Sequence, residues 1–143
     1  MGTWRLVKKP PDAIPLANKW MFVRKQNKAS EIVKHKARLV VKGCMQWPGY
    51  DYVETFSPIV QMETIWAILA LVPIKGLKIQ QMDVKGAYLN GILKEKVYMH
   101  QPEGYEDGTG QVCELIKTLY GLKQSGQEWN RELDEKLKKF GFQ

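Results

Sequence analysis

The chain has 143 residues, of which 44% are apolar and 26% charged, a composition typical of a folded globular protein and not of a disordered one. Its longest apolar run, residues 65–72, ends at Pro73 and falls well short of the roughly 20 residues that span a bilayer, and no basic-then-apolar leader opens the sequence. We therefore expect an intracellular protein without a membrane segment, and the two cysteines are too few for a disulfide framework.

Positive charge is concentrated in the N-terminal third. Residues 1–50 carry 11 Lys and Arg against 2 acids, a net charge of +9, whereas residues 51–143 carry 11 against 13, a net charge of −2. Such a basic region predicts a surface that faces a polyanion, either nucleic acid or nucleotide phosphate. The alternative is a solvated basic face that keeps the protein soluble.

The first third predicts a short strand at residues 4–7, a proline-rich loop and then a β-hairpin. Alternation places the hairpin strands at residues 19–25 and 32–42, around a polar turn. Period-two spacing on the second strand puts four cations on one face: Lys34, Lys36, Arg38 and Lys42. The opposite face carries Val33, Ala37, Leu39 and Val41. Cations backed by apolar side chains predict contact with phosphates, and the alternative is an edge strand on which lysines prevent aggregation.

The middle of the chain predicts a helix and a strand. Ser57-Pro58 predicts the helix start, because Ser caps helices well and Pro fits the first helical position. The helix is expected over residues 57–72, and its nearly continuous apolar surface predicts burial in a core or against another domain. Residues 77–84 are a predicted strand that carries Asp83 near its end. A carboxylate there, beside glycines that let a ligand come close, is a weak indication of a metal site.

The C-terminal part predicts short strands and a last helix. A polar turn at residues 91–96 precedes strands at residues 97–100 and 112–117. The final helix, residues 126–140, carries an apolar stripe and two favourable i,i+4 charge pairs, Glu132–Lys136 and Glu135–Lys139. Strands and helices mix without regular βαβ repetition, so the predicted fold class is α+β.

Residue spacing excludes several common chemistries. The cysteines and histidines stand singly, without the close pairs that structural zinc sites use, and we interpret Cys44 and Cys113 as small buried apolar groups. The sequence has neither a Gly-x-Ser-x-Gly nucleophile turn nor a Gly-x-x-x-x-Gly-Lys phosphate loop.

Five linked blocks make the sequence resemble a known family over almost its whole length. In order and spacing they are similar to the reverse transcriptase of copia-type LTR retrotransposons. The blocks are Lys36-Ala37-Arg38-Leu39-Val40-Val41-Lys42-Gly43, Asp51-Tyr52-Val53-Glu54-Thr55-Phe56-Ser57-Pro58-Ile59-Val60, Met82-Asp83-Val84-Lys85-Gly86-Ala87-Tyr88-Leu89-Asn90-Gly91, Val97-Tyr98-Met99-His100-Gln101-Pro102-Glu103-Gly104-Tyr105 and Leu119-Tyr120-Gly121-Leu122-Lys123-Gln124-Ser125.

The resemblance implies a right-hand polymerase, truncated before its Tyr-x-Asp-Asp hairpin. Residues 1–143 would be a single partial domain, with residues 1–76 mainly fingers and residues 77–143 the start of the palm and a returning helix. The family enzyme is an RNA-directed DNA polymerase that uses deoxynucleoside triphosphates, Mg²⁺ and an RNA or DNA template with a primer, in the cytoplasm, a virus-like particle or the nucleus. Its two metal ions activate the primer 3′-hydroxyl and stabilise the leaving pyrophosphate.

The resemblance also implies roles for individual residues. Asp83 matches the first metal-binding catalytic aspartate, and the Val84 carbonyl is a further metal ligand. Tyr88 matches the aromatic gate that excludes a 2′-hydroxyl. The expected triphosphate contacts are Lys36 and Arg38, by point charge and bidentate guanidinium, with Gln124 beneath the new base pair. The expected nucleic-acid contacts are Lys34, Lys42 and Lys123.

The sequence departs from the family pattern where the chemistry is most demanding. It contains no Asp-Asp pair, and Asp83 alone leaves Mg²⁺ short of carboxylate ligands. Gly126-Gln127 stands where the family usually has Pro-Arg, and Trp66 where it commonly has Arg. We therefore expect a fragment that does not polymerise by itself. The alternatives are a non-catalytic nucleic-acid-binding module and the poorly folding product of a relic open reading frame.

Overall fold

The computed structural model describes residues 2–142, which form a mixed α/β structure with two sheets and two α-helices. The strands and helices, in chain order, are β1 (Trp4–Val7), β2 (Asn18–Gln26), β3 (Ile32–Val41), α1 (Met62–Lys75), β4 (Ile92–Met99), β5 (Val112–Lys117) and α2 (Ser125–Lys139). Short 3₁₀ turns occupy Gly43–Met45 and Ala87–Asn90. All strand pairs are antiparallel, with the order β1-β5-β4 in one sheet and β2-β3 in the other.

The core lies where the base of the hairpin meets the three-stranded sheet. Its buried side chains come from the loop before β2, from β3, β4 and β5, and from the segment before α2: Leu16, Leu39, Val41, Val97, Met99, Cys113, Leu115, Leu119 and Leu122. Leu16 fastens the loop to β4, since its N–H donates to the Tyr98 carbonyl at 2.8 Å and its carbonyl accepts from His100 N–H at 3.0 Å. The predicted apolar face of β3 is confirmed at its base only, because Val33 and Ala37 are exposed farther out.

The first helix differs from its prediction in both position and burial. It begins at Met62, because the backbone N–H groups of Thr64 and Ile65 bond to the Gln61 carbonyl, and it continues through Pro73 to a left-handed Gly76 cap. The predicted burial is wrong, since no residue of α1 is buried. Among residues 2–142 no other helix or strand packs extensively against it, so its apolar surface faces solvent.

The predicted strand at residues 77–84 is also wrong. These residues are irregular and exposed, because within the part of the chain that the structure describes no strand supplies partners for their N–H and C=O groups. The predicted turn at residues 91–96 is instead the first part of β4. Ile92 pairs with Lys117 there, and an irregularity in the ladder separates this pair from Val97–Leu115.

The predicted bounds of two strands and of the last helix are confirmed, whereas the ion pairs predicted on that helix are wrong. The strand bounds at residues 4–7 and 112–117 agree with the structure, and the last helix begins and ends within one residue of its predicted bounds. On α2 the observed ion pairs are Lys138–Asp134 and Arg131–Glu128, and among residues 2–142 the two predicted pairs do not form.

Within residues 2–142 neither helix has the length and hydrophobicity that a bilayer crossing requires.

Candidate nucleotide and nucleic-acid site

The hairpin register assembles a larger cationic face than one strand alone provides. Lys25 pairs with Lys34, Met21 with Arg38 and Lys19 with Val40, and directly opposed side chains of an antiparallel pair share a face. The cationic face therefore consists of Lys19, Lys25, Lys34, Lys36 and Arg38. Sequence reasoning missed Lys19 and Lys25, although alternation from the polar turn carries the signal. Lys42 lies beyond the end of β3, exposed, with its backbone N–H bonded to the Ala17 carbonyl at 2.8 Å.

The crowding of like charges changes the acid–base behaviour of Lys36. The neighbouring Lys25 ammonium, and then burial and the charges of Arg38 and Lys34, hold the pKa of Lys36 below its usual range. Each of these neighbouring positive charges disfavours the protonated, charged form of Lys36. A bound polyanion relieves the repulsion, so this face is electrostatically suited to phosphate groups.

Tyr120 joins the hairpin to the segment that follows Asp83. Its ring lies 5.7 Å from the Arg38 guanidinium carbon and meets the Tyr88 ring edge-on at a centroid distance of 5.4 Å. The Thr118 hydroxyl donates a hydrogen bond to the Tyr88 carbonyl. Arg38 and Tyr88, which lie in separate sequence blocks, thus both contact Tyr120. Tyr120 was not among the site residues predicted from the sequence, although it lies in the Leu-Tyr-Gly-Leu block.

A small cleft opens beside this contact. It has a volume of about 210 Å³, and its walls include Trp20, Arg38, Leu89, Leu119 and Tyr120. Only Arg38 among these wall residues carries charge. The cleft therefore combines apolar walls with a cationic edge, which suits a ligand with a flat apolar part and an anionic part.

Close backbone packing fixes the hairpin against the Tyr120 segment. The Val41 N–H donates to the Tyr120 carbonyl at 2.8 Å, and a Cβ atom placed on Gly43 would overlap the Gly121 carbonyl oxygen. Gly121 has a φ of 94°, and a Cβ there would overlap the Val41 carbonyl oxygen. Only glycine at both positions lets the two backbones approach this closely.

Gln124 and Lys123 have different environments. Gln124 is 1% exposed; its side-chain oxygen accepts from Gln46 Nε2 at 2.9 Å, and its own Nε2 donates to the Asp51 carbonyl at 2.9 Å. The Lys123 ammonium is exposed, 3.1 Å from the Tyr52 hydroxyl oxygen and 4.9 Å from the Tyr52 ring centroid. The predicted contact of Gln124 with a nucleotide stays a prediction, and its observed role is to brace this segment.

Asp83 is not brought into a cluster of ligands. Asp83 and Val84 are exposed, in the irregular segment that precedes the left-handed turn at Gly86, where φ is 61°. Across residues 2–142 no group of three or more His, Cys, Asp or Glu side chains is placed to hold a metal ion. One exposed carboxylate does not satisfy Mg²⁺, so the described residues alone do not fit this ion.

Comparison with known proteins supplies the family. The family described as reverse transcriptase (RNA-dependent DNA polymerase) matches residues 1–143. The chain is 45% identical over 139 residues to the retrovirus-related Pol polyprotein from transposon TNT 1-94 of Nicotiana tabacum, covering 96% of this chain and 10% of that protein. It is 42% identical over 143 residues to the corresponding polyprotein from transposon RE1 of Arabidopsis thaliana, covering 98% and 10%.

A more distant relative extends the similarity beyond plants. The Transposon Ty1-ER2 Gag-Pol polyprotein of Saccharomyces cerevisiae is 37% identical over 102 residues, covering 66% of this chain and 5% of that protein. The chain thus spans about a tenth or less of the curated relatives it matches. No solved structure matches it. The match over the full sequence confirms the resemblance drawn from the five blocks, and the chain belongs to the reverse transcriptase family, with relatives among the Pol polyproteins of copia-type retrotransposons.

Proposed function

We propose that this chain is the fingers and the first part of the palm of an RNA-directed DNA polymerase, and that it positions the incoming nucleotide and the template. The observation that carries the proposal is the contact of Arg38 and Tyr88 with the ring of Tyr120. These residues come from separate family blocks, and the cleft beside them has an apolar wall and a cationic edge. Residues 1–76 are assigned mainly to the fingers and residues 77–143 to the palm and its returning helix.

The ligand contacts follow from the chemistry of each side chain. Lys36 and Arg38 bind the triphosphate, since guanidinium forms paired hydrogen bonds with phosphate and ammonium adds a point charge. Tyr88, held by Tyr120, excludes a 2′-hydroxyl by its bulk. Gln124 holds the neighbouring segment in the shape that supports the new base pair. Lys34, Lys42 and Lys123, exposed in the structure, contact the nucleic-acid backbone.

Asp83 has a more limited role in this chain. Reverse transcriptases generally use divalent metal ions, and we assign Asp83 and the Val84 carbonyl as ligands of Mg²⁺ that do not suffice alone. The sequence has no Asp-Asp pair, and within residues 2–142 no group of three or more His, Cys, Asp or Glu side chains is placed to hold a metal ion. The chain by itself therefore does not extend a primer.

A primer-extension assay on the purified 143-residue chain tests this assignment. With a primed RNA template, deoxynucleoside triphosphates and Mg²⁺, we expect no template-dependent product. Synthesis that is abolished by Asp83→Asn would contradict the expected inactivity and would make Asp83 catalytic in the chain alone. Binding of a deoxynucleoside triphosphate, measured by calorimetry, is expected to weaken in Arg38→Gln, and binding unaffected by that change would overturn the assigned nucleotide site.

A non-catalytic nucleic-acid-binding module is the second candidate, favoured by the five-cation face, which is built without Asp83. For such a module, the logarithm of the binding constant falls linearly with the logarithm of the salt concentration, with a slope of about 0.9 per phosphate contact on duplex DNA. Replacing Lys34, Lys36 and Arg38 by Gln should reduce that slope by about 3. Nucleic-acid binding with this dependence, combined with no nucleotide binding, would select the module; a slope that the triple variant leaves unchanged would exclude it.

A further inference from the structure

One carboxylate on β4 interrupts the apolar pattern of that strand. Burial alternates along β4, and Leu93, Glu95, Val97 and Met99 are each more buried than their neighbours in sequence. Three of these side chains are apolar and belong to the core or pack against it. The exception is Glu95, whose Oε2 atom is buried and accepts no hydrogen bond from residues 2–142. A buried anionic oxygen without a partner costs free energy, which a bound cation would recover.

Glu95 lines a cavity between β4 and two loops, the one before β2 and the one after β3. The cavity has a volume of about 420 Å³, and its walls include Asp12, Tyr50, Glu95, Lys96 and Tyr98. This volume falls within the range of small-molecule sites, roughly 300–1,000 Å³. We call these five residues the Glu95 site.

Hydrogen bonds hold the walls of the Glu95 site in place. The Tyr50 hydroxyl donates to the Asp12 carbonyl at 3.0 Å, which joins the two loops. The Leu16 N–H donates to the Tyr98 carbonyl at 2.8 Å, which fixes the first loop to β4. A ligand therefore meets walls that are already positioned, and this lowers the entropic cost of binding.

The charges around the cavity favour a cation. Asp12 and Glu95 are acidic and Lys96 is basic, and none of the three takes part in the ion pairs formed within residues 2–142. Lys96 also acts on a carboxylate outside the cavity. After the larger effect of Arg5, its charge helps to hold the pKa of Glu114 below its usual range. The cavity therefore keeps an excess of negative charge.

An organic cation fits these walls better than a metal ion. Within the described range, residues 2–142, no group of three or more His, Cys, Asp or Glu side chains is placed to hold a metal ion. A guanidinium or ammonium group is satisfied by one or two carboxylates, and aromatic ring faces attract it further. Tyr50 and Tyr98 supply two such rings to the walls.

We propose that the Glu95 site binds an organic cation, a guanidinium or alkylammonium group whose N–H groups donate to the Glu95 carboxylate. Such a group is carried either by a free small molecule or by the basic side chain of a peptide, and the two sources share this chemistry. None of the residues assigned to nucleotide or nucleic acid lines the cavity, so the site goes beyond the proposed function.

Calorimetric titration of the 143-residue chain at low salt tests the site with three probes. Agmatine is a free cation, a blocked Gly-Gly-Arg-Gly-Gly peptide carries the guanidinium on a chain, and the same peptide with citrulline carries a neutral group of similar shape. We expect the cationic probes to bind at least about tenfold more tightly than the citrulline peptide. Tighter binding of the arginine peptide than of agmatine would assign a peptide side chain, and the reverse order a free cation. Citrulline binding as tight as that of the cations, or no binding of either cation, would overturn the site.

Substitutions locate the bound cation. Glu95→Gln should weaken binding of the cationic probes roughly ten- to hundredfold, because the hydrogen bond loses its charged acceptor. Asp12→Asn should weaken it by at most about fivefold, since Asp12 is exposed. Glu135→Gln is the matched control, which removes the same charge from an exposed position on α2. Unchanged binding in Glu95→Gln, or equal losses in Glu95→Gln and Glu135→Gln, would overturn the site.

The stability of the chain without ligand gives an independent readout. Glu95→Met removes the unpartnered charge and fills a similar volume, so the urea concentration at the midpoint of unfolding should rise. Circular dichroism of the native variant checks that its secondary structure is retained. A lower midpoint in a folded Glu95→Met variant would show that the carboxylate has a partner within the protein and would overturn the site.

Discussion

The guanidinium carbon of Arg38 lies 5.7 Å from the centroid of the Tyr120 ring, so a residue of the hairpin and a residue of the segment before α2 are in direct contact. The same ring meets Tyr88 edge-on at 5.4 Å. A cation over an aromatic face and an edge-to-face ring pair are both attractive because the ring carries negative charge on its faces and positive charge at its edge. Tyr120 therefore restricts both partners at once.

Replacing Tyr120 by Leu should weaken binding of a deoxynucleoside triphosphate by about 2- to 30-fold, the range that a cation–π contact of roughly 0.5–2 kcal/mol implies. The preference for deoxynucleotide over ribonucleotide should also narrow, because Tyr88 loses the ring that holds it. Calorimetric titration with matched deoxy- and ribonucleotides measures both quantities. Tyr120→Phe keeps the ring and should bind like the wild type; unchanged binding by Tyr120→Leu would contradict a positioning role.

Glycine is required where the hairpin crosses the Tyr120 segment. Gly121→Ala should lower the free energy of unfolding by about 2 kcal/mol or more, since the methyl group overlaps the Val41 carbonyl oxygen and the backbone φ of 94° disfavours any side chain. Urea denaturation followed by circular dichroism measures the change. Gly49→Ala is the control: φ is 77° but open space surrounds the added methyl, so the loss should be about 1 kcal/mol. Equal losses of unfolding free energy at both positions would show that overlap between the added methyl group and the Val41 carbonyl oxygen contributes nothing.

Local pattern predicted those parts of the fold that local sequence decides. The hairpin, β1, β5 and α2 carry their own alternation, turn residues or apolar stripe, and the structure confirms these elements, although the ion pairs predicted on α2 do not form among the described residues. The helix start at Ser57 was wrong because the backbone of Gln61 provides the first carbonyl, which no residue preference encodes. The strand at residues 77–84 was wrong because a strand also needs a neighbour, and alternation does not report whether one exists.

In the candidate site, too, the sequence predicted what a single strand decides and missed what depends on contacts between distant parts of the chain. Sequence placed Lys34, Lys36 and Arg38 on one face correctly, but the register that adds Lys25 opposite Lys34 depends on pairing across the turn. Tyr120 was missed because its contacts with Arg38 and Tyr88 are long-range. Cys44 was predicted to be buried and is exposed, because it lies in a short 3₁₀ turn at the surface, whereas Cys113 is buried in β5 as predicted.

The cross-strand pair Arg5–Glu114 predicts an acid-sensitive contribution to stability. The Arg5 guanidinium, 2.8 Å from the carboxylate, holds the pKa of Glu114 below its ordinary value of 4.5. A depressed folded-state pKa stabilises the fold above the unfolded pKa and loses that effect as pH falls through the folded pKa. Unfolding free energy should therefore decline below about pH 4.5.

Glu114→Gln removes this titration. Denaturation at a series of pH values should show a flatter acid limb in the variant than in the wild type. Part of the slope should remain, since hydrogen bonds from Thr109 and Gln101 also hold the pKa of Asp107 below its ordinary value. Identical acid limbs in the two proteins would contradict a role for the Arg5–Glu114 pair.

The two cysteines should differ sharply in reactivity. Burial, and then the Asp107 charge, raises the pKa of Cys113 to about 11, and Cys44 is exposed. Because the thiolate is the nucleophile, near pH 8 only about one Cys113 in a thousand is reactive. A thiol reagent should therefore modify one cysteine in the native protein and a second only after unfolding in guanidinium. Cys44→Ser should abolish the rapid reaction and leave the slow one; two thiols of equal rate in the native wild type would contradict the buried position of Cys113 in β5.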